Sequence, residues 1–287
     1  MGGTVAITSH RISVKGKPSL LRLSPSSSKE SISLLSNEKS AILAAGKHVK
    51  VPAILAYGKK KVGRSHQSYL LLEGIRGAPF LPERDYRTAA HYLATLHCRT
   101  EGRHPPGIKK SPDAAAHFTR AASERFPLLR KLGVPASLRL QAKQLLSAAH
   151  KASSQKQEAS CITLANGHPL PYNWLKTQHG LALSDWSHSS FTSPAADLCM
   201  FLSPFSLSWR SPSPFPLEAQ SEFLSTYLSH FSGGQEQDIL AQCSRASVPA
   251  SAYLFLLGLT SPSPPRHFRN ILFVKKAAAQ AAQSFPP

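Results

Sequence analysis

The alternation of hydrophobic and polar positions over the first 75 residues predicts a small, strand-rich lobe. Residues 4–24 alternate as strands do, with a turn at Gly16-Lys17-Pro18. The next pattern has apolar residues at helical spacing and closes on Gly46, a residue type common after helix ends. The predicted order is three strands, one helix and two strands. After the first strands, the pattern predicts a helix over 33–48 and strands over 51–61 and 66–77.

From Asp85 onward the pattern changes to that of long helices, in which apolar residues recur every three or four positions. A short β-like section interrupts them at 160–186, and helices return from Pro194. The helical patterns cover 84–100, 112–133 and 135–154, whereas Ser/Pro-rich loops are predicted at 24–31, 203–216 and 260–265. We therefore predict an α+β chain with a β-rich lobe at 1–75 and a larger, mostly helical lobe at 76–287.

The charge of the chain is unusual. Its 34 Lys and Arg residues against 15 Asp and Glu residues give a net charge of +19, enough to attract polyanions. The basic residues are dispersed rather than gathered in one arginine-rich tract. The charge is therefore compatible with a hydrated basic surface and with an anionic ligand.

The cysteines and the apolar runs limit the class of protein further. The four cysteines, Cys98, Cys161, Cys199 and Cys243, lie far apart, so neither a zinc cluster nor a disulfide framework is expected. The first residues carry no secretory signal pattern, and the apolar run at 252–259 is too short to cross a bilayer. We expect a cytoplasmic protein that does not enter the membrane.

The segment 164–186, LANGHPLPYNWLKTQHGLALSDW, concentrates polar residues between apolar stretches. It resembles the core motif of the aminoglycoside phosphotransferase and choline kinase-like family, a relative of the protein kinases. Members of that family carry H-G-D-x-x-x-x-N, a short hairpin, Asp-Trp or Asp-Phe, and then D-L at the start of a helix. Gly167 and Asn173 match the first pattern, Asp185 follows Asn173 by twelve residues, and Asp197 follows Asp185 by another twelve.

Other stretches agree with the resemblance in the same order. The segment YLLLEGIRG resembles the strand and hinge whose backbone receives a purine, which implies nucleotide contacts at Leu72, Glu73 and Ile75. Arg22 and Glu38 resemble the cationic strand residue and the helix glutamate that pairs with it, although the family has Lys where this chain has Arg. The segment AAHYLATLH, 89–97, resembles the first helix of the large lobe.

The resemblance implies a protein-kinase-like bilobal fold and phosphoryl transfer from ATP. Such chemistry requires Mg²⁺, a hard cation that prefers carboxylate and amide oxygens. Asp185 and Asn173 are the implied metal ligands, and Arg22 with Glu38 would orient the phosphates. Asp197, near the start of a helix, is expected to be structural and to hold the catalytic loop.

The chain departs from the family at the catalytic loop itself. His168 stands where the family has its catalytic Asp, and Asn166 stands where it has His. A positioned general base contributes about 10²–10⁴ in rate, so this change bears directly on activity. His168 has two alternative roles: a neutral imidazole that accepts the proton of the substrate hydroxyl, or a protonated imidazole that contacts phosphate.

Three functions follow as hypotheses. The first is an ATP-dependent phosphotransferase that phosphorylates a hydroxyl group of a small molecule, with His168 acting in catalysis. The second is a nucleotide-binding pseudokinase without turnover. The third is a basic polyanion-binding protein, ranked last because the sequence lacks the aromatic and basic signature of a nucleic-acid module.

The acceptor is not identified by the sequence. Trp209, Glu218 and Glu222, in the predicted helical lobe, are candidates for acceptor contacts. A neutral or anionic hydroxyl compound suits a chain poor in carboxylates better than a polycationic aminoglycoside does. We expect a monomer or weak dimer whose ligands are ATP and this small substrate, and no nucleic acid.

Overall fold

The structure is a computed structural model. It describes residues 7–24, 29–62, 65–155, 159–207, 217–232, 234–261, 268 and 271–281. The first lobe holds four antiparallel strands in the spatial order β1-β2-β4-β3 and one helix. These elements are β1 (Thr8–Val14), β2 (Lys17–Leu23), α1 (Lys29–Ala45), β3 (Ile54–Val62) and β4 (Ser65–Glu73).

The prediction of three strands before the first helix was wrong for the described residues. Only β1 and β2 precede α1 there, and residues 4–6 of the predicted pattern lie outside the described part. The tight turn falls one residue earlier than expected, at Lys15 and Gly16, which have φ angles of 50° and 75°. Two successive left-handed residues match the right-handed twist of a two-residue hairpin.

One face of the sheet packs against α1 and carries the residues that matter for the site. Arg22 lies opposite Leu70 in the ladder, and Leu20 lies opposite Leu72, so these four side chains share a face. Leu70 and Leu72 are buried. The sheet therefore places the cationic side chain of Arg22 beside two buried leucines.

The second lobe is mostly helical, with short strands at its junction with the first. Its strands are β5 (Ala78–Pro79), β6 (Thr163–Ala165), β7 (Trp174–Thr177), β8 (Gly180–Leu183) and β9 (Ser190–Thr192). Its helices are α2 (Pro82–Thr100), α3 (Ala114–Arg125), α4 (Leu128–Lys131), α5 (Ala136–Ser153), α6 (Ala195–Leu202), α7 (Pro204–Leu207), α8 (Leu217–Leu228), α9 (Gln235–Thr260) and α10 (Ile271–Ala281).

Some predicted boundaries differ from the structure. The helix expected over 112–133 is divided into α3 and α4 at Phe126 and Pro127, because proline lacks the N–H that an uninterrupted helix needs. The loops expected at 24–31 and 203–216 are partly helical, since α1 begins at Lys29 and α7 spans Pro204–Leu207. Residues 25–28, 208–216 and 262–265 of the predicted loops lie outside the described residues.

The core of the large lobe is built around the long helix α9, which packs against α3, α5 and α6. Trp174, Trp186 and Phe201 are almost completely buried. Within the described ranges, no helix combines the length and the apolar character needed to cross a membrane. The four cysteines are free, and Cys161, Cys199 and Cys243 are buried.

Candidate active site between the lobes

Arg22 links three elements that are distant in sequence. Its Nη1 lies 3.0 Å from Glu38 Oε1 on α1 and 3.2 Å from Asp185 Oδ1, which follows β8 in the large lobe. Arg22 and Glu38 are buried, whereas the Asp185 side chain is 31% exposed. One guanidinium thus joins the sheet and helix of the small lobe to a carboxylate of the large lobe.

The Asp185 carboxylate is held from several sides. Ser187 Oγ donates to Asp185 Oδ1 over 2.7 Å, and the backbone of Asp185 has a φ angle of 55°. Burial alone would raise the pKa of Asp185, but the positive charge of Arg22 and contacts with His188 and Ser187 keep this pKa below its ordinary value. Asp185 is therefore an anion at neutral pH.

Glu38 has a different electrostatic environment. Burial raises the pKa of Glu38 to about 7, and the nearby Asp185 carboxylate raises it as well, although Arg22 opposes both effects. Two carboxylates thus share one guanidinium, and the more exposed of the two keeps its charge. The charge of Glu38 changes near neutral pH.

The loop before Asn173 is fixed by Asp197 and Gly167. Both oxygens of the buried Asp197 accept backbone N–H groups, from Asn166 over 2.8 Å and from Gly167 over 2.7 Å. Gly167 has a φ angle of 84°, and a Cβ added there would lie 2.3 Å from the His188 carbonyl oxygen. The close approach of two backbone segments and the left-handed conformation therefore require glycine at this position.

Two asparagines order the remainder of this loop. Asn166 Oδ1 accepts the backbone N–H of His168 at 3.0 Å, and Asn166 Nδ2 donates to the carbonyl of Asp185 at 3.1 Å. Asn173 Nδ2 donates to the carbonyl of His168 at 2.8 Å. The loop and the segment at Asp185 are therefore joined by side chains as well as by packing.

The β7–β8 hairpin brings Asn173 and Asp185 close together. Trp174 pairs with Leu183 at the end of this hairpin, and Ser184 donates its backbone N–H and its hydroxyl to the Asn173 carbonyl, at 2.9 and 2.8 Å. Asn173 therefore lies opposite the residue that precedes Asp185. The hairpin and Ser184 occupy all the positions between Asn173 and Asp185.

The donor set suits a hard divalent cation. Among the described residues, the hydrogen bonds of these side chains use Asn173 Nδ2 and Asp185 Oδ1, so Asn173 Oδ1 and Asp185 Oδ2 have no hydrogen-bond partner. Mg²⁺ is commonly bound by one or two such protein oxygens together with phosphates and water. No group of three or more His, Cys, Asp or Glu side chains with metal-binding geometry occurs in the described part of the chain.

His168 is buried in the loop and contacts two aromatic rings. Its Nε2 lies 3.0 Å from Tyr253 Oη on α9, and its ring stacks on the ring of the exposed His188 with 3.9 Å between centroids. Burial, together with the neighbouring His188, lowers the pKa of His168 well below its ordinary value. The imidazole is therefore neutral at pH 7, which disagrees with the alternative of a protonated phosphate contact in the free protein.

The hinge residues have different environments. Leu72 is buried on the same face of the sheet as Arg22, Ile75 is half-buried, and Glu73 is exposed. The Gly74 amide is already occupied, because it donates to the Pro18 carbonyl at 2.9 Å. Of the expected nucleotide contacts, Leu72 thus has its side chain in the core, Ile75 is partly accessible, and the Glu73 side chain lies in solvent.

Two of the three predicted acceptor residues, Glu218 and Glu222, lie on α8. Glu222 forms an ion pair with Arg87 and accepts a hydrogen bond from Tyr86. Glu218 is exposed on α8, and Trp209 lies outside the described residues. Sequence reasoning missed Ser187, His188 and Tyr253 in the site, and Tyr253 carried no detectable signal because it lies 85 residues from its partner His168.

The fold is similar to that of several small-molecule kinases. A choline kinase from Cryptosporidium parvum Iowa II superposes with a TM-score of 0.63 and 13% identity, covering 97% of this chain and 88% of that one. An aminoglycoside-3'-phosphotransferase of type VIII gives a TM-score of 0.56 and 17% identity, covering 85% and 91%. The GDP and kanamycin complex of APH(2")-IIia gives 0.56 and 13%, covering 98% and 94%.

No protein-family model matches the chain, and no curated protein matches it in sequence. At these low identities the structural likeness defines the fold. The chain has the protein-kinase-like bilobal fold of choline kinases and aminoglycoside phosphotransferases, as the core motif predicted.

Proposed function

We propose that this chain is an ATP- and Mg²⁺-dependent phosphotransferase that phosphorylates a hydroxyl group of a small molecule. The observation that carries the proposal is the meeting of Arg22, Glu38 and Asp185 at 3.0 and 3.2 Å, from elements up to 163 residues apart. The likeness to small-molecule kinases adds support, and one of the similar structures is a complex with GDP.

Arg22 is the proposed contact for the nucleotide phosphates. Its Nε is buried and has no hydrogen-bond partner in the described structure, so this donor is unsatisfied in the free protein. Leaving such a donor unpaired costs free energy that an anionic ligand would recover. Because Nη1 already binds Asp185, phosphate binding would redistribute the contacts of one guanidinium between a carboxylate and the ligand.

Asn173 and Asp185 would hold the magnesium ion through Oδ1 and Oδ2 respectively. When bound, the ion would neutralise charge on the phosphate chain. Asp185 suits this role because its low pKa keeps it ionised, and Asn173 suits it because the hydrogen bond from its Nδ2 to the His168 carbonyl directs the amide. Both side chains are oriented by the protein before any ligand arrives.

His168 is the proposed proton acceptor. The acceptor hydroxyl oxygen would form a bond to the γ-phosphorus while the bond to the bridging oxygen breaks and ADP leaves. The hydroxyl proton would pass to the imidazole. This requires His168 Nε2 to donate its hydrogen to Tyr253 Oη, since only that tautomer leaves Nδ1 free to accept a proton.

A second candidate function is nucleotide binding without phosphoryl transfer. The observation that favours it is the same His168–Tyr253 contact, with the hydrogen donated by Tyr253 Oη instead of by His168 Nε2. If the Tyr253 hydroxyl donates to Nε2, then Nδ1 carries the hydrogen and the ring has no lone pair for the substrate. The two candidates thus differ in one proton position at a buried contact.

Calorimetric titration with Mg-ATP and Mg-GTP tests the nucleotide site. We expect wild-type binding to weaken at least about tenfold in Asp185→Ala, because the metal loses its only carboxylate. Glu236→Ala, which removes an exposed carboxylate on α9, is the matched control and should bind as the wild type does. Absence of heat from the wild type at millimolar nucleotide would refute the proposal.

ADP release across a panel of hydroxyl compounds separates the two candidates. If His168 is the base, His168→Ala should reduce turnover by about 10²-fold or more, with nucleotide affinity retained. If the protein only binds nucleotide, the wild type should show no turnover, and His168→Asp should introduce it. Turnover that is unchanged in His168→Ala would contradict the proposed role of this residue.

A further inference from the structure

A cavity of about 560 Å³ lies beside the segment that joins the two lobes. Its walls come from the start of β2, the loop after α1, the joining segment 73–77 and the turn of the β7–β8 hairpin. The side chains in its lining that carry or can carry charge are Lys17, Lys50, Glu73, Arg76, Lys176 and His179. Both lobes therefore contribute to one basic concavity.

This cavity is distinct from the Arg22–Asp185 site. Lys17 is five residues before Arg22 on β2, and Thr177 is four residues after Asn173 on β7. At about 3.3 Å per strand residue, Lys17 and Thr177 lie roughly 13–17 Å along their strands from Arg22 and Asn173, respectively. None of Arg22, Asn173 or Asp185 lines it, although the hinge residues Glu73 and Ile75 do.

The charges in the lining are poorly compensated. Four cationic side chains face one carboxylate, that of Glu73. Lys176 pairs with Asp85 at 2.7 Å, but Lys17, Lys50 and Arg76 form no ion pair with any residue in the described ranges. Like charges held in one concavity raise the local positive potential, which a bound anion would relieve.

The backbone beneath these side chains is firmly anchored. The Lys50 carbonyl accepts the Tyr92 hydroxyl at 2.6 Å and the Leu183 amide at 3.3 Å. Gly77 passes so close to Lys176 that an added Cβ would lie 2.6 Å from the Lys176 carbonyl oxygen. The backbone of Lys50 and Lys176 is thus fixed before a ligand binds, so a ligand has to order only their side chains.

A second basic cavity, of about 590 Å³, makes a useful contrast. Lys47, His48, Arg99 and Arg103 line it beside the C-terminal ends of α1 and α2. The negative ends of two helix dipoles partly offset these cations, and Leu43, Pro105 and Pro106 make its walls largely apolar. The helix ends thus offset part of the positive charge of this second cavity, whereas no helix end lines the cavity at the joining segment among the described residues.

We propose that the cavity at the joining segment binds a small anion bearing two or more phosphate groups. Several phosphates can contact Lys17 and Lys50 of the small lobe and Arg76 and Lys176 at the same time, so the ligand would connect the two lobes. The proposal is independent of the function of the Arg22–Asp185 site.

Calorimetric titration of the full chain with inorganic tripolyphosphate, at low and high salt, tests this site. We expect the Lys17→Glu/Lys50→Glu double variant to lose at least about tenfold in affinity, and the wild-type affinity to fall as salt rises. Lys47→Glu/Arg103→Glu is the matched control, with the same change in net charge at the other basic cavity, and should stay within about threefold of the wild type.

Hydrogen exchange locates the ligand without any substitution. Tripolyphosphate should protect backbone amides at 73–77 and 176–180 and leave those at 184–187 unchanged. Equal loss of affinity in both double variants, absence of binding at low salt, or protection confined to 184–187 would each overturn the proposal. Tighter binding of a short single-stranded oligonucleotide, lost in the same double variant, would also overturn it, because the partner would then be a nucleic acid.

Discussion

Replacement of Glu38 by Gln should change how the stability of this protein depends on pH. Glu38 is completely buried, and burial raises the pKa of its carboxyl from an ordinary value of 4.5 to about 7. The native state therefore retains a proton that the unfolded chain releases at lower pH. For an acid with a raised pKa, stability is greatest below the unfolded pKa and is lost as pH rises through the folded pKa.

The size of the effect follows from the shift. At about 1.4 kcal/mol per pKa unit, ionisation of Glu38 should destabilise the wild type by about 3 kcal/mol at pH 8 relative to pH 4, and most of the loss occurs between pH 5 and 7. Glu38→Gln resembles the neutral form of Glu38 and keeps an oxygen for Arg22 Nη1. Its free energy of unfolding should therefore lack the pH-dependent loss caused by ionisation of Glu38. Asp185 does not interfere, because its depressed pKa acts only at acidic pH.

Urea unfolding of both proteins at several pH values between 5 and 8 measures this difference. The free energy of unfolding of the wild type should fall relative to that of Glu38→Gln by about 2–3 kcal/mol across the range. Parallel profiles would refute the reasoning, since they would mean that Glu38 titrates equally in the folded and unfolded states.

Two further predictions concern the loop before Asn173. Gly167→Ala should lower the free energy of unfolding by about 2 kcal/mol or more, because it adds a clash with the His188 carbonyl to the strain of a positive φ. The control is Gly133→Ala, at a positive φ with open space, which should cost about 1 kcal/mol. Equal losses of stability for the two variants in thermal unfolding would contradict the contact between Gly167 and His188. Asp197→Ala should lower the free energy of unfolding by about 3 kcal/mol or more, because it leaves the N–H groups of Asn166 and Gly167 unpaired. A decrease below about 1 kcal/mol in urea unfolding would argue against these hydrogen bonds.

Much of the fold could be predicted from the sequence because its signals are local. Strand alternation and helical spacing gave two of the three strands expected before α1, the helix ending at Gly46, and the long helices of the large lobe. The break at Pro127 was also a local signal, but the apolar residues on both sides of it favoured a single helix. The candidate site was indicated by the resemblance of 164–186 and Asp197 to the core motif of the kinase-like family, in which Asn173, Asp185 and Asp197 follow one another at intervals of twelve residues.

The sequence by itself determined the β-rich lobe, the helical lobe and the residues from which a site could be built, because short-range periodicity and residue type are written along the chain. Only the tertiary structure decided that Arg22 contacts Asp185 as well as Glu38, that His168 is a buried neutral ring against Tyr253, and that a basic cavity forms where the lobes join. These properties depend on burial and on charges that approach one another through space. No local pattern encodes them.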